Sequence, residues 1–167
     1  GYSDMAIGAA YLLGFRLPVN FRTPYDAASP QQFWRRWHIT LSTWIRDYFY
    51  VPLGGNKGSV SRQAILMVVV MGVSGLWHGA NYTFIFWGAL WGAYVVLIRP
   101  FAGNIKKFQY FFWFPHITIV IVLWVFFRAP DLQYATDYIS TMFVWQKATD
   151  VPYAITVWTV VGCIGLM

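Results

Sequence analysis

Two histidines could carry chemistry: His78, which occurs where an imidazole is unexpected unless it makes a specific contact, and His38, for which interfacial packing and a site role are equally open. His78 lies in SGLWHGANY, residues 74–82, between two apolar runs, and His38 lies in FWRRWHITLS, residues 33–42. An unsatisfied polar group in an apolar environment costs about 1–3 kcal/mol. Imidazole titrates near neutral pH and is the commonest general base. Both histidines are therefore candidates for proton transfer, and spacing alone leaves a purely structural role open.

The remaining chemical signals are weak. His116 follows Pro115 near the start of a later apolar run and is interpreted as an interfacial residue at a helix start. The sequence has no His-x₃-His pair, no Glu and only one cysteine, Cys163, so it lacks the usual zinc ligands and no metal site is expected. The segment LGGNKG lacks the spacing of a phosphate-binding loop and is interpreted as a turn.

The composition is that of a membrane protein. The 167 residues are 58% hydrophobic and 21% aromatic, and only 11% are charged, whereas a soluble domain carries about a quarter charged residues. The 12 Lys and Arg outnumber the 6 acidic residues. Because the basic residues lie mostly between apolar runs, they indicate membrane orientation, and nucleic-acid binding is not expected.

The first part of the chain predicts one helix end, a loop and one amphipathic helix. Residues 1–15 are typical of the tail of a packed helix, and prolines and arginines make residues 16–32 a loop. Ser29 followed by Pro30 predicts a helix start, with Ser as N-cap. The following residues 30–49 are amphipathic and rich in Trp, Tyr and Arg, which predicts an interfacial or re-entrant helix.

Four apolar runs follow, and they predict an all-α, polytopic transmembrane bundle. Residues 16–62 carry seven Lys and Arg and the connection after the second run carries three more, which places both in the cytoplasm. The connection at 128–151 and the end of the first run, with His78, then lie towards the outer face. The predicted spans are residues 63–80, 82–98, 109–127 and 152–167.

The chain begins at Gly1 and ends at Met167 inside an apolar run. We expect residues 1–167 to form a single partial membrane domain that belongs to a longer polytopic protein and is truncated at both ends.

Several segments together resemble one family of membrane enzymes. They are GYSDMAIG, RLPVNFRTPYDAASPQQFWRRWHITLSTWIRDYFYVPLGGN, GLWHGANYTFIFWGALWG and WVFFRAPDL. They are similar to the membrane-bound O-acyltransferase superfamily, and most to its bacterial branch around alginate O-acetyltransferase and the D-alanine transferase of teichoic acids. The resemblance implies that His78 is the catalytic histidine and His38 the second site position. The residues expected only to shape the site are Asp4, Arg35, Arg36, Trp77 and Asn81.

The resemblance also implies a reaction and a location. An acyl group, most simply acetyl, would pass from a cytoplasmic thioester, acetyl-CoA or an acyl carrier, to a hydroxyl of an extracytoplasmic polysaccharide or partner protein. No bound cofactor is expected. His78 would act as the base, while His38 would orient the donor or the developing oxyanion. The expected location is the bacterial inner membrane, among its lipids, with a periplasmic or lipoprotein acetyltransferase as partner. The alternatives are a transporter or flippase and a non-catalytic scaffold subunit.

Overall fold

The computed structural model describes residues 1–142, which form helices joined by short connections and contain no β-strand. The all-α prediction is confirmed for this part of the chain. Short 3-10 helices at Pro24–Asp26 and Arg99–Phe101 and a π-helix at Arg46–Tyr50 link the longer elements. The α-helices are α1 Tyr2–Leu12, α2 Pro30–Trp34, α3 Ile39–Ile45, α4 Val60–Leu76, α5 Tyr82–Ile98, α6 Ala102–Lys107, α7 Gln109–Arg128 and α8 Leu132–Met142.

Two helical segments among the described residues are long and apolar enough to cross a membrane. The first, Tyr82–Lys107, combines α5, the following 3-10 helix and α6, and the second is α7. They contain the spans predicted at 82–98 and 109–127. Length and apolar composition were sufficient to find them because both runs have clear polar limits.

The other two predicted spans have different outcomes. The apolar run at 63–80 corresponds to α4, which has 17 residues and is about 25 Å long at ~1.5 Å per residue. It ends at Leu76, so His78 lies in the connection after the helix and not within it. The run predicted at 152–167 lies outside the described residues.

Helices α4 and α5 pack with their backbones in contact, and glycines make this possible. A Cβ at Gly75 would lie 2.0 Å from the carbonyl oxygen of Phe84, and a Cβ at Gly88 would lie 2.1 Å from that of Met71. A Cβ at Gly92 would come within 2.6 Å of the backbone of α4. Small residues at such crossings are the usual means by which membrane helices approach closely.

The bundle has two chemically different ends. At the first, the connection 77–81 between α4 and α5 meets the chain after α7, because Asn81 Nδ2 donates to Pro130 O at 2.8 Å. We call this the histidine end, since it carries His78. At the opposite end, Arg99 Nη1 donates to Gln63 Oε1 at 2.8 Å. We call this the basic end, and its cations are Lys57, Arg62, Arg99, Lys106 and Lys107.

The amphipathic segment begins as predicted but is not one helix. Ser29 Oγ accepts a hydrogen bond from Gln32 N at 3.2 Å, which confirms the predicted N-cap. The continuous helix predicted over 30–49 is wrong, because α2 ends at Trp34 and α3 begins only after His38. The backbone of His38 has φ 42° and ψ 56°. This left-handed conformation interrupts the helical hydrogen-bond ladder.

Helix α2 lies along α5 and runs from the basic end towards the histidine end. Its side chains contact successive turns of α5. After α2, the chain continues in the same direction. The ring of Trp37 packs on that of Trp124 in α7, with 5.1 Å between the ring centroids. The contacts with α5, in order, are Gln31 Nε2 to Val95 O at 3.1 Å, the Phe33 ring to the Trp91 ring at 5.0 Å, and the Trp34 ring to the Trp87 ring at 6.1 Å.

His116 is a core residue of α7, so its assignment as an interfacial helix-start residue is wrong. The helix begins at Gln109, and the side chain of His116 is only 2% exposed. Its Nδ1 lies 2.9 Å from the Tyr94 hydroxyl of α5, and its ring lies 6.0 Å from that of Phe33. The imidazole therefore links α7 to α5 through a hydrogen bond. Pro115 is accommodated inside the helix, as prolines in membrane helices often are.

Replacement of Gly88 by alanine should destabilise the bundle, because the new methyl group would collide with the carbonyl oxygen of Met71. Overpacking typically costs about 1–3 kcal/mol, and a backbone oxygen cannot rotate away. We expect a clearly lower midpoint of thermal unfolding for the full-length protein in detergent. The matched control is Gly103→Ala, where a Cβ meets nothing within 4 Å. Equal melting temperatures for the two variants would contradict the close crossing.

Candidate active site

Trp77 lies between the two candidate histidines. Its ring centroid is 6.5 Å from that of His38 and 5.0 Å from that of His78, and both pairs are nearly perpendicular. His38 comes from the turn after α2, whereas His78 comes from the connection after α4. The two histidines selected from the sequence are therefore brought to one place, at the histidine end of the bundle.

The imidazole of His78 is enclosed on several sides by aromatic rings. The rings of Trp87 and Phe84 from α5 lie at 5.4 Å and 6.1 Å, and that of Phe127 from α7 lies at 5.0 Å. The contacts with Trp87 and Phe127 are edge-to-face, an arrangement that aromatic rings prefer. His78 is half-buried in this setting. These walls reduce the access of water to the ring without closing it off.

The local sequence explains how the connection 77–81 holds this ring. Gly79 leaves space for Phe84, because a Cβ there would lie 2.8 Å from a carbon of the Phe84 ring. Asn81 then starts α5, and its Oδ1 accepts from Thr83 N at 3.1 Å as an N-cap. Asn81 Nδ2 also donates to the chain after α7. Asn81 therefore attaches the connection 77–81, in which His78 lies, both to α5 and to the end of α7.

The surroundings of His78 favour its neutral form. Burial lowers the pKa of His78 below the ordinary value of 6.5, and the nearby His38 lowers it further. Both effects disfavour the imidazolium, the first by removing water and the second by placing a second potential cation close by. At neutral pH the ring is therefore uncharged and able to accept a proton.

His38 is held in a strained backbone conformation. Left-handed φ and ψ values are uncommon outside glycine, and they cost about 1–3 kcal/mol when the surrounding structure enforces them. The His38 side chain is half-buried, and its Nδ1 is buried without a hydrogen-bond partner in residues 1–142. Strain of this kind concentrates at functional sites, so it strengthens His38 as a candidate.

The other residues selected from the sequence divide into two groups. Trp77 and Asn81 belong to the site, as described above, although the Trp77 side chain is also 64% exposed. Within the described residues, Asp4, Arg35 and Arg36 form no hydrogen bond or ion pair with either histidine. Asp4 is exposed on α1, and Arg35 is exposed in the turn before His38.

Four residues at the site were not selected from the sequence: Phe84, Trp87, Phe127 and Asn20, whose Oδ1 accepts a hydrogen bond from Thr40 N near His38. The three aromatic residues lie in apolar runs where aromatic residues are ordinary, so their types and spacing carried no signal. Asn20 is one polar residue in a proline-containing loop. Only the fold shows that these residues lie beside the histidine segments.

The described residues form a helical bundle with two segments long and apolar enough to cross a membrane. At one end of the bundle, two imidazoles lie against one indole and form a candidate acid–base site. Among the described residues, no group of three or more His, Cys, Asp or Glu is placed to hold a metal ion. Residues 1–143 match the family model MBOAT, membrane-bound O-acyltransferase family. The chain belongs to this family, as the sequence motifs predicted.

Curated relatives agree with this assignment. The chain is 44% identical over 151 residues to the probable alginate O-acetylase AlgI of Pseudomonas aeruginosa. The aligned region covers 87% of the chain and 29% of that relative. It is 45% identical over 145 residues to the protein of the same name from Azotobacter vinelandii, and this alignment covers 86% of the chain and 29% of the relative. A peptidoglycan O-acetyltransferase of Helicobacter pylori is 40% identical over 147 residues, covering 85% and 28%. The chain thus spans less than a third of the length of these relatives.

The pKa of His78 predicts a titration midpoint below 6.5 in the folded protein. NMR of the histidine-labelled full-length protein in detergent measures it, with the resonance assigned by its loss in His78→Gln. In His38→Gln the midpoint should rise, because one cause is removed, yet stay below 6.5, because burial is the larger cause. A midpoint at or above 6.5 in the unmodified protein would contradict the burial of this ring.

Proposed function

We propose that the full-length protein transfers an acyl group, most simply acetyl, from a thioester donor to a hydroxyl group. The observation that carries the proposal is the placement of His78 and His38 against Trp77, with the pKa of His78 lowered. Membership of the O-acyltransferase family supports it. The relatives named for O-acetylation of alginate and of peptidoglycan favour acetyl as the group and an extracytoplasmic glycan as the acceptor.

In the proposed reaction, His78 acts as the general base. A hydroxyl group is a poor nucleophile at neutral pH, so its proton must leave as the oxygen attacks the thioester carbonyl. Neutral His78 accepts that proton while the new C–O bond forms. The tetrahedral intermediate then collapses, the C–S bond breaks, and the leaving thiolate takes a proton from the imidazolium. The products are an ester and a free thiol, and His78 returns to its neutral form.

His38 is assigned the second role at this site. It orients the thioester or stabilises the oxyanion that develops on its carbonyl oxygen. The closeness of His38 to Trp77 supports this role, because it places a second polar ring beside the base. Its strained backbone supports the role as well, since such strain is concentrated at functional sites.

The direction of transfer follows from the two ends of the bundle. We assign the basic end to the cytoplasm and the histidine end to the outer half of the membrane, because the Lys and Arg in the connections at the basic end favour the cytoplasmic side. Residues 30–38 then enter from the cytoplasmic side along α5 and reach Trp77. The chain returns to the basic end, where Arg62 Nη2 donates to Leu53 O at 2.8 Å. These contacts support a re-entrant segment in a multi-pass protein of the inner membrane.

The donor in this proposal is a cytoplasmic thioester, acetyl-CoA or an acyl carrier, and it is a co-substrate and not a bound cofactor. The acceptor is a polysaccharide, reached directly or through a periplasmic or lipoprotein acetyltransferase partner. The names of the relatives support a polysaccharide as the final acceptor. The outward position of the histidine end supports delivery to that side.

Replacement of His78 by glutamine should abolish most of the transfer while the protein stays folded. General-base catalysis typically contributes about 10²- to 10⁴-fold, so we expect a rate loss of that order. Unsealed membranes from cells that produce the full-length protein are supplied with radiolabelled acetyl-CoA. The base-labile label in the glycan fraction is measured per folded molecule. His38→Gln should lower the rate less than His78→Gln.

The matched control is His116→Gln, the same substitution in the core of α7. The glutamine amide can still form a hydrogen bond with the Tyr94 hydroxyl, and the side chain lies away from Trp77. Its rate per folded molecule should therefore be unchanged. If His78→Gln acetylates normally while changes in residues 128–142 abolish acetylation, the protein is a scaffold. If the unmodified protein transfers no acyl group to glycan, the result favours the transporter alternative over the acyltransferase.

A further inference from the structure

The backbone of His38 is held by a second segment of the chain, residues 20–23. Three hydrogen bonds join Asn20 to the two residues that follow His38. Asn20 O accepts from Ile39 N at 3.0 Å, and Asn20 Oδ1 accepts from Thr40 N at 3.0 Å and from Thr40 Oγ1 at 2.7 Å. The N–H groups in the first turn of a helix have no partner inside it. Asn20 supplies that partner for two of them in α3.

The same segment is also joined to the residues before His38. Arg22 N donates to Arg36 O at 2.9 Å. The ring of Phe21 lies 5.0 Å from that of Trp37 and 6.0 Å from that of His38. The strained residue is therefore fixed on both sides, by backbone hydrogen bonds and by ring contacts.

The bonds of Asn20 are the ones that bear on the direction of the His38 side chain. A non-glycine residue leaves the left-handed region readily unless its neighbours are held in place. Return of φ from 42° to an ordinary negative value would swing the imidazole away from its present contacts. The bonds to Ile39 N and Thr40 N fix the two peptide units after His38 and so resist that rotation.

We propose that Asn20 is a positioning residue for the acyl-transfer site, where it holds the His38 backbone so that the imidazole stays against Trp77 beside His78. This inference rests on the proposed function. Asn20 acts through its bonds to Ile39 and Thr40 and takes no part in proton transfer. Its oxygen is the essential atom, because Oδ1 is the acceptor in both side-chain bonds.

The experiment replaces Asn20 in the full-length protein and measures kinetics in unsealed membranes with radiolabelled acetyl-CoA. Asn20→Ala removes Oδ1 and should lower kcat about 10- to 100-fold, the size expected when a catalytic group is misplaced by about an ångström. The KM for acetyl-CoA should change little. Asn20→Asp retains an acceptor oxygen for Thr40 and should keep most of the rate. This rescue separates the acceptor role from simple occupancy of space.

Two further variants sharpen the test. Thr40→Val removes one of the two side-chain bonds and keeps the backbone N–H, so its loss should be smaller than that of Asn20→Ala. The variant that combines Asn20→Ala with Thr40→Val should be no slower than Asn20→Ala alone, because both changes break the hydrogen bond between Asn20 Oδ1 and Thr40 Oγ1. The matched control is Asn104→Ala, at an exposed asparagine on α6, and its kcat should be unchanged.

The outcomes that overturn the inference differ from those that overturn the proposed function. Unchanged kcat in Asn20→Ala, together with an inactive His78→Gln, overturns the positioning role alone. A loss confined to the amount of folded protein, with a normal rate per folded molecule, also overturns it, because it shows a purely structural role. A fully active His78→Gln overturns the proposed function and this inference with it.

Discussion

The close crossing of α4 and α5 is the constraint on which the rest of the described structure depends. Glycines at Gly75 and Gly88 let each helix touch the carbonyl oxygens of the other. Because the helices are in backbone contact, the five residues that join them have little freedom, and His78 lies among those five. A neighbouring face of α5, about 100° round the helix from Gly88, carries Trp87 and Trp91, which contact α2. The position of His78 therefore follows from this helix pair, and α5 also supplies the surface that α2 contacts before the chain reaches His38.

Local signals in the sequence predicted the elements well. The apolar run at 82–98 has the bounds of α5, and Ser29 caps α2 as its position before proline indicated. These features depend on neighbouring residues, so periodicity, length and capping chemistry suffice. The choice of His78 and His38 came from their motifs. Their meeting at Trp77 depends on contacts between distant segments, which no spacing along the chain reports.

The errors at His38 and His116 have the same physical origin. The turn at His38 interrupts a segment whose local pattern is helical throughout, and it is stabilised by hydrogen bonds to Asn20, far away in sequence. His116 looked interfacial because it follows a proline near the start of an apolar run, yet Tyr94 of another helix supplies a partner for its ring nitrogen. In both cases a polar group from a distant part of the sequence forms hydrogen bonds that stabilise an arrangement unfavourable by local sequence alone.

The shortness of α2 and α3, with 5 and 7 residues, has a consequence for biogenesis. Isolated helices of this length are unstable in water, and their polar side chains make them poor candidates for insertion into lipid by themselves. The surface that holds α2 belongs to α5, which the ribosome makes later. The backbone of His38 is held by Asn20, which is made before it, whereas its side chain meets Trp77 only after α4 has been made.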